Sequence, residues 1–114
     1  MAEKGVAKEF PIRDPRRCPT HPGELLREVV IPALGLSKTA VADYLGVSRQ
    51  TLYDLIGEKQ PVTPQMAVRI GKLIGNGPAI WLNMQTAFDL WHAAREVDVS
   101  DIPTLKQLHS GKSS

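Results

Sequence analysis

The residues with the clearest chemical potential in this 114-residue chain lie in one polar stretch, at positions 48 to 54. Arg49 and Gln50 stand side by side there. An arginine can donate two hydrogen bonds to O6 and N7 of guanine, and a glutamine can pair in the same way with N6 and N7 of adenine. The pair is therefore a candidate for reading base edges in DNA, and a solvated helix start is the alternative.

The polar residues around this pair supply further candidate contacts to DNA. Ser48 and Thr51 suit a phosphate oxygen or a thymine methyl, and Tyr53 suits the sugar-phosphate backbone. Asp54 is repelled by phosphate, although a carboxylate can accept a hydrogen bond from N4 of cytosine. A lysine on each side of the stretch is a candidate phosphate contact. The candidate DNA-binding set is Lys38, Ser48, Arg49, Gln50, Thr51, Tyr53, Asp54 and Lys59.

A helix-turn-helix would position these side chains, and residues 38–56 have the pattern of that motif. Two helices that meet across a short turn need a small residue where they approach and a residue that tolerates positive φ in the turn. Ala42 and Gly46 meet these two needs. The expected inner positions are all apolar, namely Val41, Leu45, Val47, Leu52 and Leu55. A generic helical bundle, the alternative, satisfies some of these positions but rarely all.

Five helical patterns with short connections predict an all-α domain. The first begins at His21-Pro22-Gly23-Glu24, and Pro32 is expected to end it because its ring disfavours helical geometry at the preceding residue. Ser37 and Ser48 are expected to cap the next two helices, and Thr63-Pro64 is expected to open the fourth. We predict an irregular N-terminal arm at residues 1–20, a helix-turn-helix DNA-binding and dimerisation domain at 21–95, and an irregular C-terminal tail at 96–114. Ile102, Leu105 and Leu108 could form a short apolar turn within that tail.

The fifth helical pattern carries both tryptophans of the chain and is apolar on more than one side. A terminal helix in a small domain has one core to face, so a second apolar side favours a subunit interface. We therefore predict a homodimer joined through residues 78–95; the alternative is that the domain's own core takes every apolar side chain. The predicted interface residues are Ile80, Trp81, Met84, Phe88 and Trp91.

Other reactive residue types form no recognisable active site. His21 and Glu24 have a spacing that could hold a metal ion, but catalytic zinc needs three protein ligands and no second pair accompanies them. Cys18 follows two arginines, a setting that favours a reactive thiolate. No histidine stands in a recognisable relation to it, so we expect a plain surface thiol. The nine glycines form no phosphate-binding loop. We predict no catalysis, metal site or cofactor.

Composition bounds the chain to one small domain. Hydrophobic residues make up 42%, enough for one core, and a core this small is often completed by a second subunit. The single cysteine fits a reducing compartment, and residues 1–20 lack the apolar run of a signal peptide, so we predict a cytoplasmic protein without a membrane span. The formal net charge of +2 is weak for a DNA-binding protein.

Several longer stretches resemble the HigA antitoxins, which belong to the broad Xre or lambda-repressor-like class of helix-turn-helix proteins. They are HPGE at 21–24, GLS at 35–37, LGVSRQTL at 45–52, VTPQMAVRIGKLIG at 62–75 and WLNMQTAFDLW at 81–91. The helix-turn-helix part alone indicates the broad class, whereas the HPGE start together with the WLNMQ and DLW ending is much more specific. The resemblance implies a five-helix lambda-repressor-like fold. The chain departs from the pattern at Tyr53-Asp54, where family members often carry Ser-Arg.

The resemblance further implies a type II toxin–antitoxin module. Such an antitoxin silences a HigB-type toxin that cleaves messenger RNA, and it represses its own operon as a dimer bound to an inverted repeat in double-stranded DNA. Two alternatives remain. One is a free-standing Xre-type regulator without a toxin, and the other is a protein-binding module that has lost DNA contact, which Asp54 and the low net charge favour.

The first helix and the two tails are the expected surfaces for a toxin. Glu24 and Glu28 stand one helical turn apart, away from the apolar side of the first helix. Carboxylates there could meet a cationic toxin, and a solvated helix face is the alternative. The tails add Glu3, Glu9, Asp98 and Asp101, which could become ordered on binding.

Overall fold

The computed structural model describes residues 16–113, and within that range every regular element is a helix. Helix α1 spans residues 22–34 and joins three consecutive stretches, Pro22–Leu25, Leu26–Val30 and Ile31–Leu34. The other helices are α2 (Lys38–Leu45), α3 (Arg49–Ile56), α4 (Pro64–Ile74), α5 (Ala79–Glu96) and α6 (Leu105–Ser113). The all-α prediction is confirmed. No helix in this range has the length and apolarity needed to cross a membrane.

Short polar side chains begin α2, α3 and α4, as the sequence predicts. The side-chain oxygens of Ser37, Ser48 and Thr63 each accept a hydrogen bond from the backbone amide three residues later, at 3.0, 3.0 and 3.1 Å. Each bond satisfies an amide that the helix leaves unpaired and contributes about 1 kcal/mol. These caps fix where each helix starts, and therefore which residues of α3 occupy its first turn.

Helix α1 continues through Pro32, where the sequence predicts that it ends. Residues Leu26–Val30 form a π-helical segment, in which the Ile31 amide bonds to the Leu26 carbonyl five residues back. In a regular α-helix the ring of a proline clashes with the carbonyl four residues before it. The wider π turn directly before Pro32 relieves that clash, and the helix ends at Gly35, whose φ is 70°.

The core consists of aliphatic side chains around one tryptophan. Its buried members are Leu26, Ile31, Val41, Ala42, Leu45, Leu52, Leu55, Ile56, Val62, Ala67, Ile70 and Trp81. Trp81 is 1% exposed, and its indole N–H donates to Oδ1 of Asn76 at 2.9 Å. Gln85, one turn later, is also buried and accepts a hydrogen bond from the Val62 amide at 2.7 Å. The first two turns of α5 thus close the core.

The C-terminal tail contains a helix, which differs from the irregular tail that the sequence predicts. The Thr104 hydroxyl accepts a hydrogen bond from the Gln107 amide at 3.1 Å, and Oε1 of Gln107 accepts one from the Thr104 amide at 2.8 Å. This reciprocal pair is a capping box, and it starts α6. At the other end of the chain, the described part of the predicted arm, residues 16–20, contains no helix. The remainder of that arm lies outside the described residues.

Candidate nucleic-acid interface

The start of α1 packs against the end of α3. His21 precedes α1, and its Nδ1 accepts a hydrogen bond from the Gly23 amide at 2.8 Å. Position 23 requires a glycine, because a Cβ there would overlap the carbonyl oxygen of Leu55. His21 is 3% exposed, whereas Glu24 lies in solvent. The helix-start interpretation of His21 is therefore confirmed, and the alternative of a metal ligand paired with Glu24 does not fit.

Burial lowers the pKa of His21 from its ordinary value of 6.5, because desolvation disfavours the charged imidazolium. The carboxylates of Glu58, Asp89 and Glu24 oppose this shift in part. The neutral ring is also the form whose Nδ1 can accept the hydrogen bond from Gly23. The folded protein thus holds a neutral histidine at the contact between α1 and α5, where the ring meets Phe88 edge-on at 4.8 Å.

We expect the free energy of unfolding to fall as the pH drops below about 6.5. The unfolded chain binds a proton on His21 more tightly than the folded chain does. The contribution of the neutral His21 ring to stability is therefore complete above the unfolded pKa and is lost as the pH falls through the folded pKa. His21→Asn keeps a capping side chain without a titratable ring. Urea unfolding of both proteins between about pH 5 and pH 8 should show a flatter dependence for the variant; equal slopes would contradict the assignment.

The turn between α2 and α3 is held by its own backbone and by a side chain from α4. Gly46 ends α2 at φ 76°, and the Val47 amide bonds to the Ala42 carbonyl at 3.0 Å. Ala42 is fully buried, so the small residue lies inside the motif as predicted. Arg69 donates from Nη1 to the Leu45 carbonyl at 2.8 Å. That bond satisfies one of the carbonyls left unpaired at the end of α2.

Helix α3 is fixed at its C-terminal end by an arginine from α1. Nη1 of Arg27 donates to the Ile56 carbonyl at 2.5 Å and lies 3.4 Å from the Glu58 carboxylate. Arg27 and Arg69 are not among the residues predicted from the sequence. Arg27 bonds to a helix end 29 residues later in the chain, and Arg69 bonds to one 24 residues earlier. Local patterns carry no signal for such a contact.

The first turn of α3 presents Arg49 and Gln50 to solvent. Gln50 donates from Nε2 to Oδ1 of Asp54, one turn later, at 2.8 Å. This bond orients the Gln50 amide and engages the carboxylate that, from the sequence, argues against DNA binding. Ser48 and Thr51 serve the helix itself in part, because the Ser48 hydroxyl caps the Thr51 amide and donates to the Thr51 hydroxyl at 2.9 Å.

The other three candidates lie on α3, at the start of α2 and in the loop after α3. Tyr53 is 46% exposed on α3, Lys38 is the first residue of α2, and Lys59 lies in the loop after α3. The positive ends of the α2 and α3 dipoles add to the charges of Lys38 and Arg49. Such a surface can accept a phosphate backbone and present Arg49 to a groove.

Comparisons with known proteins agree with this geometry. A helix-turn-helix family profile matches residues 26–81. The chain is 40% identical over 76 residues to virulence-associated protein I of Dichelobacter nodosus, covering 67% of this chain and 70% of that protein. It is 35% identical over 80 residues to antitoxin HigA-1 of Vibrio cholerae, and the match covers 70% of this chain and 75% of that protein. The solved structure of antitoxin GraA in complex with its operator matches with a TM-score of 0.65 and 39% identity, over 75% of this chain and 85% of GraA. The chain belongs to the HigA family of helix-turn-helix antitoxins.

Membership of the HigA family confirms the resemblance drawn from the sequence motifs. The family comprises DNA-binding antitoxins and transcription regulators and is not a class of enzymes. Among residues 16–113, no three His, Cys, Asp or Glu side chains come together in a group that could hold a metal ion.

Trp81 of this HigA-family chain packs into the core of its own chain, whereas the sequence prediction assigns it to a subunit interface. Its side chain is 1% exposed within the single chain. Trp81 and Gln85 are the two buried residues of α5, and they stand one turn apart. They therefore mark the side of α5 that covers the domain's own core. The indole is buried there within a single chain.

The remaining predicted interface residues keep part of their surface. Ile80 is 48% exposed, and Met84, Phe88 and Trp91 are half-buried. Leu90, which the sequence prediction leaves out, is 65% exposed. Helix α5 therefore retains apolar surface beyond what the core covers, on the sides away from Trp81.

Cys18 has a neighbour that the sequence does not reveal. Its Sγ lies 3.5 Å from Nε2 of His92, a residue 74 positions later in the chain. The thiol is exposed and forms no disulfide, so the expectation of a surface thiol is confirmed. The inference that no histidine stands near it is wrong, because α5 brings His92 back to the start of the domain.

Proposed function

We propose that this HigA-family chain binds the operator of its own operon as a dimer and silences a HigB-type toxin. The observation that carries the proposal is the exposed first turn of α3, which presents Arg49 and Gln50 on a helix held at both ends. Helix-turn-helix proteins place this turn in the major groove, and the relative GraA is solved with its operator. Residues 21–95 are the proposed DNA-binding and dimerisation domain, flanked by the arm at 1–20 and the tail at 96–114, and the protein acts in the cytoplasm.

Arg49 and Gln50 are the proposed base-reading residues. Arg49 suits O6 and N7 of guanine. The bond from Gln50 to Asp54 uses one amide proton and leaves Oε1 and the second proton, which are the two groups that pair with adenine. Asp54 thus acts through Gln50 and is not required to touch DNA. The proposed contacts to the sugar-phosphate backbone are Lys38, Ser48, Thr51, Tyr53 and Lys59.

Operator binding by Arg49→Ala tests this assignment. We expect a loss of about 1–3 kcal/mol and a relaxed preference at one base position. Lys38→Ala should instead weaken all sequences alike and reduce the salt slope by about one unit. Lys106→Ala, on α6, is the matched control and should change neither the base preference nor the salt slope. Fluorescence anisotropy with operator variants at several salt concentrations measures both effects. Unchanged affinity and preference for Arg49→Ala would show that α3 does not read bases.

The proposed dimer is joined through α5. An inverted repeat with half-sites one helical turn apart requires the two copies of α3 to lie about 34 Å apart in the dimer. The proposed contact uses Ile80, Met84, Phe88 and Trp91, together with the exposed Leu90. Light scattering of the full chain decides the point, and a clean monomer at micromolar concentration would overturn the dimer.

The proposed toxin surface is the outer side of α1 or one of the two tails. Glu24 is exposed, and Glu28 is exposed while paired with Arg27 at 2.8 Å. We expect capture of the neighbouring gene product by the full chain, and a weaker capture by Glu24→Lys/Glu28→Lys or after removal of residues 1–20 or 96–114. Full capture by every variant would exclude these surfaces. No capture by the intact chain would favour a free-standing regulator.

A further inference from the structure

Residues 97–108, which follow α5 and are called the C-terminal arm here, expose every large apolar side chain they carry. These are Val97, Val99, Ile102, Leu105 and Leu108, with exposed fractions between 48% and 69%. Burying such side chains against a partner is favourable, because it removes apolar surface from water. A continuous stretch that leaves five of them in solvent is typical of a binding surface.

The C-terminal arm nevertheless has local structure of its own. Oδ1 of Asp98 accepts a hydrogen bond from the Ser100 amide at 2.9 Å, and the capping box of Thr104 and Gln107 begins α6. These bonds join residues of the arm to one another, so local turn and helix-start structure does not depend on a partner. A preformed segment loses less conformational entropy on binding than a disordered one.

A groove between α2 and α4 combines exposed apolar side chains with positive charge, and in both respects it complements the arm. Its walls are Tyr44, Leu45, Val68, Arg69, Lys72 and Leu73. Tyr44 is 68% exposed and Val68 is 58% exposed, so the groove offers apolar surface to a partner. Arg69 and Lys72 stand beside these apolar side chains and favour a partner that carries carboxylates.

Charge and connectivity point to a second copy of this chain as the occupant. Asp98 and Asp101 lie among the apolar residues of the arm and match the cations Arg69 and Lys72 of the groove. The arm begins where α5 ends, and α5 is the proposed dimer helix, so each arm starts beside the other subunit. Within one chain the apolar side chains of the arm, and Tyr44 and Val68 of the groove, stay exposed, so both surfaces are available to a second copy.

We propose that the two copies of the dimer exchange their C-terminal arms, each arm lying in the α2–α4 groove of the other copy. This arrangement rests on the homodimer of the proposed function. Arg69 also holds the Leu45 carbonyl at the end of α2. The exchanged arm therefore contacts the residue that fixes the helix-turn-helix turn, and the first turn of α3 is not among the residues that line the groove.

Disulfide trapping between two full-length chains tests the exchange. Both chains carry Cys18→Ser, because the native thiol is exposed; one adds Val68→Cys in the groove and the other adds Val99→Cys in the arm. The two are mixed, allowed to exchange subunits and oxidised at micromolar concentration. An arm seated in the groove has an effective concentration on the order of millimolar, so we expect the mixed disulfide to form about 100-fold faster than by collision. The control pairs Val99→Cys with Ala33→Cys, an exposed position on α1.

Each outcome bears on the exchange. A trapping rate equal to that of the Ala33 control, in a protein that light scattering shows to be a dimer, would overturn the exchange and leave the dimer standing. A protein that light scattering shows to be a monomer would overturn both the exchange and the dimer. A fast intrachain disulfide in the Val68→Cys/Val99→Cys double variant would place the arm in its own groove and overturn the exchange. Lys72→Asp should slow trapping, and adding Asp101→Lys should restore it.

Discussion

Replacing Trp81 by alanine is expected to lower the free energy of unfolding by about 3–5 kcal/mol. The indole is 1% exposed and is the largest fully buried side chain of the core, so its removal leaves a cavity that the surrounding helices can close only in part. The loss includes the hydrogen bond from the indole N–H to Asn76. Asn76 is exposed and can bond to water instead, so packing carries most of the effect. Urea unfolding followed by circular dichroism measures it.

Trp91→Ala is the matched control, since it removes the same side chain from a half-buried position ten residues later on α5. Because Trp91 belongs to the proposed dimer contact, the two variants are compared at a protein concentration at which the chain is monomeric, and we expect a distinctly smaller loss in Trp91→Ala there. A loss in Trp81→Ala that disappeared on dilution would instead place Trp81 at a subunit contact. Equal losses in the two variants at all protein concentrations would show that the core does not centre on Trp81.

Gly71→Ala is expected to destabilise the fold by about 3 kcal/mol, whereas helix propensity alone predicts a gain of about 1 kcal/mol in the middle of a helix. Gly71 is buried in α4, and a Cβ there would overlap the backbone of Gly77 and Pro78. The Gly77 amide bonds to the Gly71 carbonyl at 3.3 Å, so the two segments lie backbone to backbone. Separating them would shift the start of α5, and with it Trp81. Urea unfolding measures the sign as well as the size.

Gly35→Ala is the control for this substitution. Gly35 has φ 70°, and no atom outside its immediate chain neighbours lies within 4 Å of the position that a Cβ would take. Alanine there meets backbone strain of about 1 kcal/mol and no overlap. A smaller loss at position 35 than at position 71 would separate the two causes. A Gly71→Ala protein as stable as the native chain would contradict the close approach of α4 to the α5 entry.

Local chemistry made most of the helix boundaries predictable. A cap at Ser37, Ser48 or Thr63 depends on a hydroxyl and an amide three residues away, and the αL end at Gly46 depends on one residue's missing Cβ. Helical spacing likewise identified the inner residues of the helix-turn-helix, because a period of 3.6 residues relates sequence to face without reference to the rest of the fold.

The candidate DNA surface was predictable to the same extent. The position of Arg49 and Gln50 in the first turn of α3 follows from the Ser48 cap, and both side chains are exposed as expected. The bond from Gln50 to Asp54 is also local, being one helical turn long, and i, i+4 pairing of these residue types is its sequence signal. The sequence predictions for Asp54 concerned phosphate and cytosine alone and missed this neighbour.

Contacts between distant segments had no counterpart in any local pattern. Arg27 and Arg69 close the ends of α3 and α2 from other helices, and the side of α5 that meets the core contains Trp81, which helical spacing assigned to a dimer. An amphipathic helix shows which of its sides are apolar. Which of those sides the chain's own core covers depends on how the helices pack, because the favourable burial of apolar surface has no direction and is settled only by the arrangement of all the elements together.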